Sequence, residues 1–305
     1  MKKKEIKGME LKQLSKNVYY IPGAVNIGVI VKGSSAVLID TGIDDDAGKK
    51  ILQTLKKENL CVAAIINTHS HADHIGGNSC IQSRTSARIY APEHEAAVIH
   101  HPYFEPYTLF SGANPIKDMK NKFLMAKASY VDVVISNILG SLEVEGLELN
   151  VVGLPGHALN QIGVEFEGVF FCADSIFSAD ILSKHKIPFL IDVNRQKDTL
   201  AYLKSSQYNF YVPSHGDPTG DVHFVADTYM DILEGVEKLI LDSTGEGKTV
   251  EELQRIIFPQ LDISIKSPQQ YYLLNTPFMA FLSGLHERGL VGTEVRNNLL
   301  TWVTV

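Results

Sequence analysis

The stretch 67-NTHSHADHIGGN-78 places three histidines and an aspartate within six positions, between the apolar run CVAAII and a glycine pair. A polar surface turn would account for such a cluster, and so would a metal site. His69 and His71 stand two apart at a strand end, where a period of two turns both side chains to one side. Asp73 and His74 follow as the chain turns toward a helix. Three further candidates lie downstream: His157 in GLPGHALN, Asp174 closing VFFCAD, and His215 in VPSHGDP. All sit at strand-to-loop junctions, where a rigid scaffold presents functional groups. Neutral imidazoles and carboxylates suit a divalent cation such as Zn²⁺. Five histidines and two aspartates exceed the needs of one tetrahedral ion and match two ions about 3.5–4 Å apart, with one carboxylate bridging.

Outward from this stretch the chain reads as alternating strands and helices. NVYYIPG, NIGVIV and SSAVLIDTG predict three strands joined by glycine turns. DDDAGKKILQTLKKENL has acidic residues first and lysines last, as a helix prefers. CVAAIINTH predicts a buried strand, HIGGNSCIQSRTS a second helix, and ARIYAP another strand. VDVVI, SLEVE, LELNVVGL, QIGVEFEG and VFFCAD continue as strands; RQKDTLAYLKSSQ predicts a helix before the strand NFYVPSHG. A weak symmetry runs through this order, AVLID then INTHSH, and VFFCAD then YVPSH. It implies two similar layered halves facing each other.

Composition narrows the function classes. The 305 residues suit one large domain, or one domain with an appendage. A hydrophobic share of 45% allows a sizeable core, and a net charge of −7 argues against nucleic acid or anionic membranes as bulk partners. The basic start MKKKEIKGMELKQLSK lacks the apolar core of a secretory signal, and no apolar run nears the roughly 20 residues of a membrane span. Cys61, Cys80 and Cys172 are odd in number and far apart, so a reducing, cytoplasmic setting and small buried thiols are expected.

THSHADHIGG, PGHALNQ, CADSIF and PSHGDP, in that order over residues 15 to 220, resemble the metallo-β-lactamase superfamily of metallohydrolases. The resemblance implies an α/β, four-layer αββα sandwich over residues 1–220 and two Zn²⁺ per chain, with Mn²⁺ or Fe as alternatives. Carried over, His69, His71 and His157 hold one metal. Asp73, His74 and His215 hold the other, and Asp174 bridges. Asp73 and Asp174 are then the carboxylates expected to act in catalysis. Asp40 in LIDTG matches the family's buried aspartate and implies support of a ligand histidine; without the resemblance it is an ordinary turn residue. His71 departs from the flavodiiron branch, which has Glu there. Glyoxalase II-like thioesterases share THxHxDHxGG, and persulfide dioxygenases keep nearly the same ligands around one iron.

Residues 95–130 interrupt the rhythm with aromatics, prolines and lysines. Tyr103, Phe104, Tyr107 and Phe110 there form either a satellite core or a substrate lid. Lysines 117, 120, 122 and 127 read equally as a solvated face or as a grip on an acidic substrate. His100 and His101 border this insertion. Residues 221–305 are helical in texture and end in a hairpin, resembling the winged-helix-like appendage of some superfamily members. Their six Lys and Arg against twelve Asp and Glu leave a net charge of −6, which points to packing, homodimerisation or shaping of the active-site rim rather than DNA. The reading favoured is a dinuclear hydrolase of a small-molecule ester, thioester or lactone, acting through a metal-activated hydroxide. The alternatives are a mononuclear iron persulfide dioxygenase-like enzyme and a non-catalytic, metal-stabilised interaction module.

Overall fold

The computed structural model describes residues 9–136 and 138–305; most of the basic N-terminal run lies outside them. The chain forms two compact units. One is built from residues up to 154 together with 159–177 and 207–221, the other from 155–158, 178–206 and 222–305.

The first unit holds two sheets. Strands β1 (Lys12–Gln13), β2 (Val18–Ile21), β3 (Ile27–Lys32), β4 (Ser35–Ile39), β5 (Cys61–Ile66), β6 (Arg88–Pro92) and β7 (Val133–Ile135) lie side by side in chain order. The first four pair antiparallel and β4 to β7 parallel. Parallel pairing needs crossovers, and helices supply two of them: α1 (Asp45–Lys57) between β4 and β5, then α2 (Ala72–Ile75) and α3 (Asn78–Gln82) before β6. Helices α4 (Glu93–His100) and α5 (Phe104–Leu109) and a 3-10 turn at Lys117–Met119 fill the segment before β7. The second sheet has the order β12 (Phe210–Pro213), β11 (Val169–Ala173), β10 (Ile162–Phe166), β9 (Leu147–Gly153), β8 (Leu139–Val144). Only β11 and β12 run parallel in it.

Strand β4 shows why the layers form. Its residues are buried on both faces, and the two-residue period sorts them. Ala36 and Leu38 join Ile51 and Leu55 of α1, Ile81 of α3 and Ile99 of α4 in one core. Val37 and Ile39 join Val151, Val164, Phe171 and Val212 of the second sheet in another. Helices therefore cover one face of the seven-stranded sheet and the five-stranded sheet covers the other. Each fully buried branched or aromatic side chain contributes about 1.5–3 kcal/mol relative to exposure. Helix α1 starts as its charge pattern predicts: Asp44 caps it, accepting from the amides of Asp46 and Ala47, and Lys56 and Lys57 close it.

HIGGNSCIQSRTS makes two short helices rather than one, divided at Gly76 and Gly77. A Cβ at Gly76 would lie 2.1 Å from the carbonyl of Ile43, and one at Gly77 2.3 Å from that of Thr41. The glycine pair lets the loop after β4 close onto the motif, where the Thr41 amide donates to the His74 carbonyl at 2.7 Å.

The second unit contains α6 (Ala179–His185), α7 (Val193–Ser205), α8 (His223–Thr244), α9 (Val250–Ile257), a 3-10 turn (Phe258–Leu261), α10 (Pro268–Glu287) and the ribbon β13 (Val291–Arg296) with β14 (Leu299–Thr304). Tyr229, Leu233, Ile240, Leu253, Phe278 and Phe281 are buried in it. Glu237, also buried, receives Lys197 at 2.8 Å and Arg288 at 2.5 Å. Thr249 and Glu252 form a reciprocal cap at the start of α9. Residues 155–158 belong with this unit through α7: Thr199 donates to the Pro155 carbonyl at 2.8 Å, and a Cβ at Gly156 would lie 2.6 Å from the Gln196 Cα. Among the described residues no helix is long and apolar enough to cross a membrane.

Candidate metal centre

Two of the four parallel strand pairs, β4 with β5 and β11 with β12, end at the site. Asp40 follows β4 and the quoted stretch follows β5; Asp174 follows β11 and His215 follows β12. The turns are sharp. Asp40 has φ +63° and Ala173, just before Asp174, has φ +51°, a region that non-glycine residues occupy at some cost. The strained backbone is held in place by hydrogen bonds. The Asp40 amide donates to the Ile66 carbonyl at 3.0 Å, and the Asp174 amide to the Gln161 side-chain oxygen at 3.3 Å. Gln161 is fully buried and its amide nitrogen donates to the Leu154 carbonyl at 3.1 Å.

Hydrogen bonds fix which ring nitrogen each histidine offers. His74 Nδ1 lies 2.8 Å from Asp40 Oδ2, so it donates there and turns Nε2 inward. The Thr68 hydroxyl gives its one proton to Asp40 Oδ2 at 2.7 Å, so it accepts from His69 Nδ1 at 3.0 Å. One carboxylate thereby orients two imidazoles, one directly and one through a hydroxyl. His69 Nε2 and His71 Nδ1 converge to 3.1 Å. His215 Nδ1 meets the Ala24 carbonyl at 2.7 Å, and its Nε2 stands 3.3 Å from Asp73 Oδ2 and 3.5 Å from Asp174 Oδ2. In the other unit, buried His157 directs Nδ1 to the Phe189 carbonyl at 2.8 Å, which makes Nε2 its donor atom toward a metal.

The donor set fits divalent cations. His74 Nε2 is buried with no hydrogen-bond partner, 3.5 Å from Asp174 Oδ1 and 3.9 Å from Asp73 Oδ1. Donor atoms of His69, His74 and Asp174 lie within 4.8 Å of one another, as do those of Asp73, His74 and His215. Carboxylates and imidazole lone pairs packed this closely repel unless positive charge lies among them. In the chain itself protons supply that charge. Burial opposes a charged His74, yet Asp174, Asp73 and Asp40 hold it well above the ordinary imidazole range. Burial likewise opposes a charged His215, but Asp174 and Asp73 raise it to about 10. Burial would raise Asp73; the His74 charge and the His215 hydrogen bond outweigh it and hold the carboxyl at about 2. Against the same burial, His74 and His215 keep Asp174 well below the usual carboxylate range.

Two carboxylates near the motif, Glu95 buried and Glu105 partly buried, have no counterpart in the sequence reading. Glu95, on α4, accepts from the Ser70 amide and hydroxyl and from the Asn160 amide. Glu105, on α5, places Oε1 3.8 Å from His71 Nε2, and burial raises its pKa. Glu105 lies in the segment read for its aromatics, and neither glutamate belongs to a motif. Only their apolar neighbours, AA after Glu95 and the tyrosine and phenylalanine around Glu105, hinted at burial.

Three lysines of the insertion have partners within the chain. Lys122 pairs with Asp44 at 2.9 Å and Lys127 with Asp45, both at the start of α1. Lys120 bonds Asn114 at 3.1 Å and covers the Tyr103 ring. These three lysines are thus engaged by groups of the chain itself on its surface. Tyr103, Phe104 and Tyr107 are exposed on and beside α5 rather than packed as a satellite core, and Phe110 is half-buried. His100 accepts the Val131 amide at 2.8 Å, a structural role, while exposed His101 sets its ring edge against Phe104. Cys172 is a core thiol, pushed up to about 12 by burial.

Known proteins resemble this chain in sequence and in fold. A family model described as the metallo-beta-lactamase superfamily matches residues 20–215. The chain is 28% identical over 138 residues to a hydroxyacylglutathione hydrolase of Serratia proteamaculans and 31% identical over 137 residues to one of Vibrio campbellii. Each match covers 45% of this chain and 42% of the relative, so the chain spans less than half the length of these curated relatives. The fold is shared with a metallo-beta-lactamase family protein from Thermus thermophilus, at TM-score 0.73 and 20% identity over 96% of this chain and 100% of that one. A beta-lactamase domain protein from Burkholderia ambifaria superposes with TM-score 0.72 at 14% identity, covering 97% of this chain and 94% of that one.

Proposed function

The chain belongs to the metallo-beta-lactamase superfamily, and from that membership we propose a dinuclear metal hydrolase of a small-molecule thioester, ester or lactone. The observation that carries this reading is the set of imidazoles at the two aspartates. Each has its Nδ1 proton committed to a protein acceptor, Asp40 for His74 and Ala24 for His215, and each turns Nε2 to Asp73 and Asp174. His69, His71 and His157 would hold one Zn²⁺, Asp73, His74 and His215 a second, with Asp174 between them. Bound there, the ions would lower the pKa of water toward about 7 and polarise the scissile carbonyl.

The chain's own groups do the rest. Asp174, fixed through Gln161 and kept ionised, orients the attacking water and takes up its proton. Asp73 keeps His215 in line. Asp40 keeps the lone pairs of His74 and His69 turned inward. The curated relatives are named as hydroxyacylglutathione hydrolases, which supports a thioester as the first substrate class to test. The intact Asp73, His74 and His215 cluster supports two ions over a single iron. The aromatics of α5 act as a lid in this reading. Residues 1–220 carry the chemistry, and the acidic tail from 221 on serves packing or homodimerisation rather than DNA. Three free cysteines support a cytoplasmic setting.

Metal analysis of protein purified without added metal, paired with hydrolysis assays on thioester, ester and lactone panels, tests the proposal. Two metals per chain are expected, with activity abolished by chelation and restored by zinc or manganese. Full activity at one metal per chain, or one iron and no hydrolysis, would overturn it.

A further inference from the structure

Glu95 is 3% exposed and sits 25 residues from the motif loop and 65 from Asn160, yet it meets both. Its Oε2 accepts from the Ser70 amide at 3.0 Å and the Ser70 hydroxyl at 2.6 Å, and its Oε1 from the Asn160 amide at 3.0 Å. A buried carboxylate is costly unless such donors compensate it, and hydrogen bonds to a charged acceptor are the strong ones. The residues it holds are informative. Ser70 is the single residue between His69 and His71. Asn160 lies three residues after His157 in the chain. The Ile162 amide, two residues further on, donates to the Thr68 carbonyl at 3.0 Å, a second tie between the same two segments.

We infer that Glu95 is a positioning residue for the metal: its carboxylate fixes the peptide that carries His69 and His71 and ties it to the segment that follows His157. The inference rests on the reading of those histidines as metal ligands. The physical reason is geometric. A donor atom bonds an ion over about 2.0–2.1 Å, and the backbone between two ligands two residues apart controls the angle between them. Ser70 gives both its amide and its hydroxyl proton to Glu95, so the tie is made through the one residue that separates the two ligands.

The test uses Glu95→Ala, Glu95→Gln and Ser70→Ala in the full chain. Zinc affinity is measured against a chromophoric chelator, and the ligand field is read from the visible spectrum of the cobalt(II)-loaded protein. Glu95→Ala is expected to lose about 10–100-fold in affinity for the first metal, the scale of support to ligands, and to shift the cobalt bands. Glu95→Gln has one acceptor oxygen for two separate sets of donors and should fall between parent and alanine variant. Ser70→Ala removes only the hydroxyl bond, so it decides the matter if Glu95→Ala does not fold. It should move affinity in the same direction by a smaller factor. Parent affinity and parent cobalt spectra in the variants, with only the melting temperature lowered, overturn the inference and leave Glu95 a support of the fold. A parent chain that binds neither zinc nor cobalt overturns the ligand reading itself, a separate result.

Discussion

Asp40 and His74 are joined by a 2.8 Å hydrogen bond between Oδ2 and Nδ1, buried on both sides, and Asp40 makes it from a left-handed backbone at φ +63°. Two properties of one residue are thus combined, a carboxylate that orients an imidazole and a side chain type that tolerates that conformation. Asparagine shares the second property and alanine neither. Asp40→Asn should bind metal about 10–100-fold more weakly and also lower the stability of the metal-free chain, because one amide oxygen cannot accept from Thr68 and His74 as two carboxylate oxygens do. Asp40→Ala should add a backbone cost of about 1 kcal/mol, visible as a still lower melting temperature. Equal melting temperatures for the two variants would remove the backbone argument.

Asp174→Asn keeps the shape of the side chain and removes the charge shared by His74 and His215. A fall in kcat of about 10²–10⁴, the usual range for lost proton transfer, is expected with the circular dichroism spectrum unchanged. Activity within a few-fold of the parent takes Asp174 out of the mechanism.

The metal-free chain should show a characteristic pH profile. His74 and His215 are raised in the folded state, His215 to about 10. Their contribution is complete below the unfolded histidine value and is lost as pH climbs toward 10. Asp73, held at about 2, contributes above the unfolded carboxylate value and loses its share as pH falls toward 2. Melting temperature of the chelated protein should therefore be highest from about pH 4 to 6.5 and decline above. Metal uptake at pH 7 should release protons, read by calorimetry in buffers of different ionisation heat. A flat melting profile between pH 6.5 and 10 contradicts this network.

Phe104 and Tyr107 are exposed on α5, the helix whose Glu105 faces His71. Alanine at either position should raise KM while both metals stay bound and the melting temperature holds. Lower stability with unchanged kinetics would mean that the two rings pack rather than cover a substrate.

The tail should not bind duplex DNA at physiological salt, given its net charge of −6. Trp302, the only tryptophan of the chain and buried in β14, reports on that ribbon by fluorescence. A salt-sensitive, submicromolar complex would show that local charge outweighs the net.

Much of this architecture was legible because it is periodic or local. The apolar alternation of SSAVLI and the charge gradient of α1 act within a few residues, and the structure places β4 and α1 there. The ligand-type residues stood out because four of them crowd one short stretch and the others close predicted strands or, like His157 and His215, adjoin glycine. Glu95, Glu105 and Gln161 did not, since their partners lie elsewhere in the chain and a lone Glu or Gln carries no pattern. The partners of the lysines were hidden for the same reason. Asp44 and Asp45 were read as a helix start, correctly, but that Lys122 and Lys127 reach them follows only from the folded path. The single helix expected across HIGGNSCIQSRTS broke because Thr41 and Ile43 crowd Gly76 and Gly77, a constraint set by a loop more than 30 residues earlier.

That crowding has a practical side for anyone wishing to change what the protein acts on. Gly76 and Gly77 leave no volume for even a methyl group, so randomising them would mostly yield chains in which the loop of Asp40 is wedged away from the helix of His74. The exposed positions of α5 carry no such restriction. In the proposed reading of these aromatics as a lid, a mutant library confined to Phe104 and Tyr107 of α5 and Tyr103 beside it explores new shapes while leaving the ligand residues alone, and one spread over the motif spends most of its members on broken scaffolds.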